Sequence, residues 1–239
     1  LCWMQLNTWT SLKVVLLSIL KRQHKELGQK LSVKKVSKFG LVVIGAHIGV
    51  HILSDIEEYK DKQILLVEPV PHNLRILKEN IANYKAIKVE PITIGQENKI
   101  RKFYFINEES VTSLGKHWAS GIGSFEKQHI LNHKTKRFNV TEDHIETIDI
   151  QSLTFNKLMN KYSISEIDKL QIDVEGAEYE ILNSIDYKNI NINKILFESK
   201  HFDGTFYEDK KLKLIKDKLI INNFKLTQID KENILAEKN

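Results

Sequence analysis

Short apolar runs alternate with amphipathic stretches along most of this chain, and that alternation constrains its fold more than any other feature. Leu41-Val42-Val43-Ile44 and Ile64-Leu65-Leu66-Val67 contain no polar residue. Strands of that kind are buried on both faces, as happens in parallel sheets covered by helices. Residues 170–173 and Ile195-Leu196-Phe197 read as further core strands, and residues 87–94, 100–106 and 224–229 as others. Helical periodicity fills the intervals. Residues 49 to about 59 form one such stretch, and Leu74, Leu77 and Ile81 recur behind Pro71, a residue suited to a helix start. Phe155, Leu158, Met159 and Tyr162 mark a third helix, Ala177, Ile181 and Ile185 a fourth, and Leu212, Ile215 and Leu219 a late one. The expected fold is α/β: a Rossmann-like, doubly wound, mostly parallel sheet with helices on both faces.

Composition narrows the class. At 41% hydrophobic and 28% charged residues the chain is that of a globular protein rather than a disordered one. Its single cysteine, Cys2, excludes an internal disulfide and a Cys-rich zinc centre, and suits a cytoplasmic setting. The net charge is +5, with lysines scattered through residues 21–38, 127–137 and 210–218. These read first as solvated helix faces and second as an electropositive rim for an anionic substrate. No zinc-finger spacing or RNP-type aromatic motif accompanies them, so no nucleic-acid partner is expected. Residues 1–37 read as an N-terminal helical extension. Gln5, Asn7, Thr8, Thr10, Ser11 and Lys13 interrupt its apolar patches, which fall short of the roughly 20 apolar residues a membrane span needs. Packing on the domain is the expectation, and a position on a membrane surface is the alternative. The domain proper is expected over residues 38–235. Within it, residues 107–136 show little periodicity and read as a substrate loop or lid, with Gly121-Ile122-Gly123-Ser124 as its hinge.

Ligands of open parallel sheets bind at the carboxyl ends of the strands. Three features fall there. Gly45-Ala46-His47-Ile48-Gly49 joins a strand to a helix, where glycines let a ligand approach the backbone closely; tight strand-to-helix packing would explain them equally well. Glu68 ends the second strand about twenty residues later, the position of a carboxylate that accepts from both ribose hydroxyls, although a strand-end carboxylate is also readily solvated. Together the two point to adenosine. Asp173 closes the fourth core strand, and Glu175 and Glu178 follow it, where stabilisation of a helix N-terminus is the competing explanation.

These segments resemble the FkbM family of methyltransferases. The resemblance rests on residues 43–49, on Leu66-Val67-Glu68-Pro69-Val70-Pro71-His72-Asn73 and on residues 170–178; Thr147-Ile148-Asp149 and Phe197-Glu198 also fit. It implies binding of S-adenosyl-L-methionine and methyl transfer, usually to a hydroxyl of a sugar, glycolipid or natural product, so the partner is a small-molecule or glycan acceptor. Gly45, Ala46, His47 and Gly49 would line the methionine and ribose moieties, Glu68 with Pro69 would hold the ribose, and Ile94-Gly95 would border the adenine. Asp173 and Glu175 would face the transfer site, and Ser113-Leu114 matches a serine-bearing loop element. The chain departs from the family at Val43, where an acidic residue is usual, and at His47, often asparagine.

A hydroxyl acceptor must lose its proton as it attacks, so Asp173, Glu175 and His201 are the candidate bases. No spacing demands a metal. Two other functions compete: an NAD-dependent oxidoreductase, which would show a G-x-G-x-x-G turn, and a catalytically degenerate methyltransferase-like domain that only binds.

Overall fold

The structure, a computed structural model, describes residues 37–239 apart from 116, 133, 136, 137, 175, 200, 201 and 203–209. Residues 1–36 of the expected N-terminal extension lie outside the described residues, and Ser37, its last residue, belongs to the first strand. The first half of the domain runs β1 (Ser37–Ile44), α1 (Leu53–Glu58), β2 (Ile64–Val67), α2 (Pro71–Asn80), β3 (Ile87–Glu90), β4 (Thr93–Ile94) and β5 (Lys99–Ile106). The short elements α3 (Glu108–Ser113), β6 (Gly123–Ser124), α4 (Lys127–Leu131), β7 (Lys134–Thr135) and β8 (Phe138–Asn139) follow. The second half comprises β9 (Ile145–Leu153), α5 (Phe155–Lys161), β10 (Ile164–Ile172), α6 (Glu178–Ser184), β11 (Asn191–Glu198), α7 (Lys210–Ile221), β12 (Phe224–Gln228) and β13 (Asn233–Lys238).

The main sheet has the order β12-β13-β11-β10-β1-β2-β3. It is parallel from β3 to β11, and β13 is antiparallel to both of its neighbours. Strand order reverses beside β1, with β2 on one side and β10 on the other, which makes the carboxyl end of β1 the switch point. Alternation along β1 divides the core. Val42 and Ile44 join Leu170, Ile172, Leu158, Ile181 and Leu219 on one face. Leu41 and Val43 join Ile52, Ile56, Leu66 and Leu77 on the other. The three leucine and isoleucine positions expected to line the late helix, Leu212, Ile215 and Leu219, are all buried.

The run 87–94 is two strands in two sheets. Proline has no N–H to continue a ladder, and at Pro91 the chain leaves β3, which pairs with β2, to enter β4, which pairs with β9. The second sheet has the order β4-β9-β5-β6. Its long strand β9 was not anticipated, although Ile148, Ile150 and Ser152 alternate with polar residues, the period of a half-buried strand. Phe103 stands opposite Ile148, and Phe103, Phe105, Ile150 and Val70 form a small core beneath this sheet. Strand β13 was also missed from sequence.

Residues 107–136 are not the structureless loop that was expected. The Asn107 side chain accepts from the Ser110 amide at 2.8 Å and starts α3, and Ala119, Ile122 and Ile130 pack with Ile106 and Val140. Gly123 is not a hinge either: it pairs with Phe105, and a Cβ there would lie 2.6 Å from the Phe103 ring. Among the described residues no helix is long and apolar enough to cross a membrane.

Gly123→Ala should therefore behave as an overpacking substitution, costing about 1–3 kcal/mol. A thermal unfolding midpoint several degrees lower is the expected result; an unchanged midpoint would restore the hinge.

Candidate functional site

The turn after β1 is built around missing side chains. Gly45 has φ 86° and Gly49 φ 82°, left-handed values that glycine adopts without strain. A Cβ on Gly45 would lie 1.8 Å from the Asp173 carbonyl oxygen, and one on Gly49 would lie 2.6 Å from Leu77 Cδ1. His47, at φ 50°, takes the same region, where His is more frequent than most residues. The amides of Gly45 and Ala46 both donate to the Val67 carbonyl, at 3.0 and 2.9 Å, and the Asp173 amide donates to the Ile44 carbonyl at 3.0 Å. The ends of β1, β2 and β10 are thereby locked together.

Glu68 follows β2 directly and reaches this turn. Its Oε2 accepts from the His47 amide at 2.8 Å, and its Oε1 accepts from the Val70 amide at 2.9 Å and from Asn73 Nδ2 at 3.3 Å. The residue is only 4% exposed. Burial pushes its carboxyl up to about 7, against the pull of these three donors. Ser120, in the 3-10 turn His117–Gly121, closes over the group. Its carbonyl accepts from Asn73 Nδ2 at 2.7 Å, and its hydroxyl lies 2.6 Å from His47 Nε2. Asn73 Oδ1 is buried and makes no hydrogen bond among the described residues.

Beside the turn, Asp173 leaves β10 next to Glu178 and Glu198, with carboxylate oxygens of the three within 4.8 Å of one another. Glu178 is fully buried; its Oε1 accepts from the Val174 amide and its Oε2 from the Gly176 amide, both at 2.8 Å, so it holds the loop between β10 and α6. Burial raises its carboxyl to about 8, and Glu198 adds to the effect. Desolvation raises Asp173 above the usual aspartate range as well, opposed by His51 and assisted by Glu232. Glu232 belongs to the β12–β13 turn, and its carbonyl accepts from the Ser199 amide at 2.6 Å, bringing that turn to the end of β11.

Ile94 and Gly95 end β4 on the other side, with the Gly95 amide donating to the Leu153 carbonyl at 2.9 Å. A Cβ on Gly95 would meet Ser152 Oγ at 2.9 Å. The hydroxyls of Thr93 and Ser152 are buried there without a hydrogen bond among the described residues. Ser113 turns back onto its own helix, its hydroxyl donating to the Ser110 carbonyl at 3.2 Å. Val43 is fully buried in the α1–α2 core, so no carboxylate stands where the family usually has one. Glu175 and His201 lie outside the described residues. Sequence reasoning passed over Asn73 and Ser120: Asn73 reads as an ordinary first-turn polar residue, and nothing local brings Ser120 to Glu68, 52 positions away.

The raised carboxyls have a consequence for stability. Between about pH 4.5 and 8 the native state holds protons on Glu68 and Glu178 that the unfolded chain has released, so stability falls as pH rises through that window. Chemical unfolding should give a more stable domain at pH 6 than at pH 8. Glu178→Gln should flatten that slope while costing about 1–3 kcal/mol, because the amide nitrogen faces one of the two loop N–H donors.

The model of the methyltransferase FkbM domain matches residues 44–224. No curated protein matches the chain. Similar solved structures include a fibrillarin/Nop5p complex, 11% identical with a TM-score of 0.44, the alignment covering 84% of this chain and 73% of that one. Fibrillarin from Aeropyrum pernix, with natively bound S-adenosyl-L-methionine, is 11% identical over 86% of this chain and 69% of that one, with a TM-score of 0.40. The N-methyltransferase NodS from Bradyrhizobium japonicum is 8% identical over 92% and 97%, with a TM-score of 0.39. Likeness at that level places no residue and assigns no substrate. The match over residues 44–224, by contrast, spans the strand ends just described: the chain belongs to the FkbM methyltransferase domain family, whose methyl donor is S-adenosyl-L-methionine.

Proposed function

We propose that this S-adenosyl-L-methionine-dependent methyltransferase methylates a hydroxyl oxygen of a sugar, glycolipid or natural product, and that the cleft at the ends of β1, β2 and β10 is its site. The observation that carries the reading is the 2.8 Å hydrogen bond from the His47 amide to Glu68. It joins the glycine turn to Glu68, the carboxylate that would receive both hydroxyls of a ribose.

The residues present fit the donor. Gly45 leaves bare backbone where a side chain would strike Asp173, Glu68 offers a carboxyl acceptor, and Asn73 Oδ1 is a buried acceptor without a donor among the described residues. Gly45, Ala46, His47 and Gly49 would line the methionine and ribose, Glu68 and Pro69 would hold the ribose, and Ile94 and Gly95 would border the adenine. When bound, the sulfonium supplies an electrophilic methyl group. Asp173 would take the proton of the acceptor hydroxyl. A carboxyl raised above the ordinary range suits that task, since a stronger base removes a hydroxyl proton more readily. Glu175 and His201 remain proposed alongside it. With Val43 apolar and buried, the donor's ammonium group would need another anionic partner, for which Asp173 or a loop residue is the candidate. Ser120 stands over Glu68, so its hydrogen bonds to His47 and Asn73 would have to give way for a nucleoside to reach that carboxylate.

Calorimetric titration with S-adenosylhomocysteine tests the site. Glu68→Gln should weaken binding about tenfold to a hundredfold, the worth of charge-assisted hydrogen bonds of ~1.5–3 kcal/mol. Ser120→Ala should tighten it by up to about tenfold, because the closed turn loses one hydrogen bond. The acceptor class is tested by incubating the protein with deuterium-labelled donor and fractionated glycans, lipids and small molecules. Mass spectrometry should find label in a methyl ether, with Asp173→Asn lowering turnover roughly 10²–10⁴-fold. Label on nitrogen or carbon would refute the hydroxyl acceptor, and binding without any transfer would identify a degenerate domain.

A further inference from the structure

We infer that the outer face of α7, with the sheet-edge strand β12 beside it, docks on an anionic lipid surface. Among the described residues, six large apolar side chains are half or more exposed, and four of them, Leu214, Ile220, Ile221 and Ile229, fall in one short stretch of the chain. Ile221 is the extreme case at 80% exposed. The inner stripe of α7 is filled by Leu212, Ile215 and Leu219, so these residues are a second apolar surface rather than a frayed edge of the first. Leu214 and Ile221 lie two helical turns apart on the outer stripe, and Ile220 flanks them.

Lysines flank this outer face, with Asp217 on the stripe between Leu214 and Ile221. Of the five in α7, Lys211 lies over the Tyr179 ring at 5.1 Å, and Lys218 lies over the Tyr187 ring and donates to the Asn183 carbonyl; both are turned to the protein. Lys210, Lys213 and Lys216, joined by Lys225 on β12, form no ion pair with a described residue. Asp217 is the helix's one acid. Cations flanking exposed aliphatic side chains are the pattern of a helix that lies in a headgroup layer, its apolar residues at the acyl boundary and its lysines among the phosphates. A second copy fits less well, because a two-fold contact would bring this lysine-rich face against itself. Nucleic acid fits less well too, since phosphate contacts make no use of exposed isoleucines.

Co-sedimentation of the full chain with vesicles tests this, comparing pure phosphatidylcholine with a mixture containing about 30% phosphatidylglycerol. Binding should appear on the mixed vesicles, fall with added salt, and drop about tenfold or more in the double variant Ile220→Glu, Ile221→Glu. Lys213→Glu, Lys216→Glu should also weaken it, about fivefold per charge, and reduce its salt dependence. All these positions are solvent-exposed or nearly so, and circular dichroism confirms that the variants fold. Equal binding to neutral vesicles, no binding at all, or binding untouched by the isoleucine variant would each overturn the proposal, the last by assigning membrane contact to another part of the chain. A dimer abolished by that variant would replace lipid with a second copy. Titration with S-adenosylhomocysteine is independent of the result, so methyl-donor binding and lipid docking fail or stand separately.

Discussion

The site depends on the absence of a side chain at residue 45. There the backbone of the β1–α1 turn approaches the Asp173 carbonyl so closely that even one methyl group would strike it at 1.8 Å. That approach lets the amides of Gly45 and Ala46 reach the Val67 carbonyl and the Asp173 amide reach Ile44. Three strand ends converge as a result, and with them Glu68, the turn at 45–49 and the carboxylates beyond β10. A parallel sheet makes the convergence available, because all its carboxyl ends lie along one edge and strand order reverses beside β1.

Around this point the protein places two buried carboxylates for different ends. Glu178 spends both oxygens on loop amides and shapes the exit from β10. Glu68 is held by amides too, but beside a glycine turn and beneath a short 3-10 turn rather than inside a loop of its own. Both are raised by burial, and both therefore make the native state less stable as pH rises. Costs of this kind are common where a structure keeps charge ready for a ligand rather than neutralising it within the fold.

Much of the architecture was legible. Runs such as residues 41–44 and 64–67 have no reading other than doubly covered strands, and Leu212, Ile215 and Leu219 named the buried stripe of α7 correctly. The family was legible as well, since its motifs are contiguous. Errors arose where local sequence is ambiguous. Residues 87–94 read as one strand although Pro91 hands the chain from one sheet to another, and β9 was passed over because its alternation pairs isoleucines with charges rather than forming a solid run. Gly123 looked like a hinge because glycine serves both freedom and close packing, and only the Phe103 ring beside it distinguishes the two.

From sequence alone came the fold class, the glycine turn and the strand-end carboxylate, because each is written in residues adjacent along the chain or set by the period of a strand or helix; the methyl donor came through the family resemblance. Tertiary structure decided the rest: that Ser120 and Asn73 close over Glu68, that Glu198 and Glu232 gather near Asp173, and that isoleucines at the end of α7 face outward among lysines. Those relations join positions tens of residues apart. Their distance in space is fixed by how sheets stack and which helix face finds the core, and no local pattern in the chain encodes it.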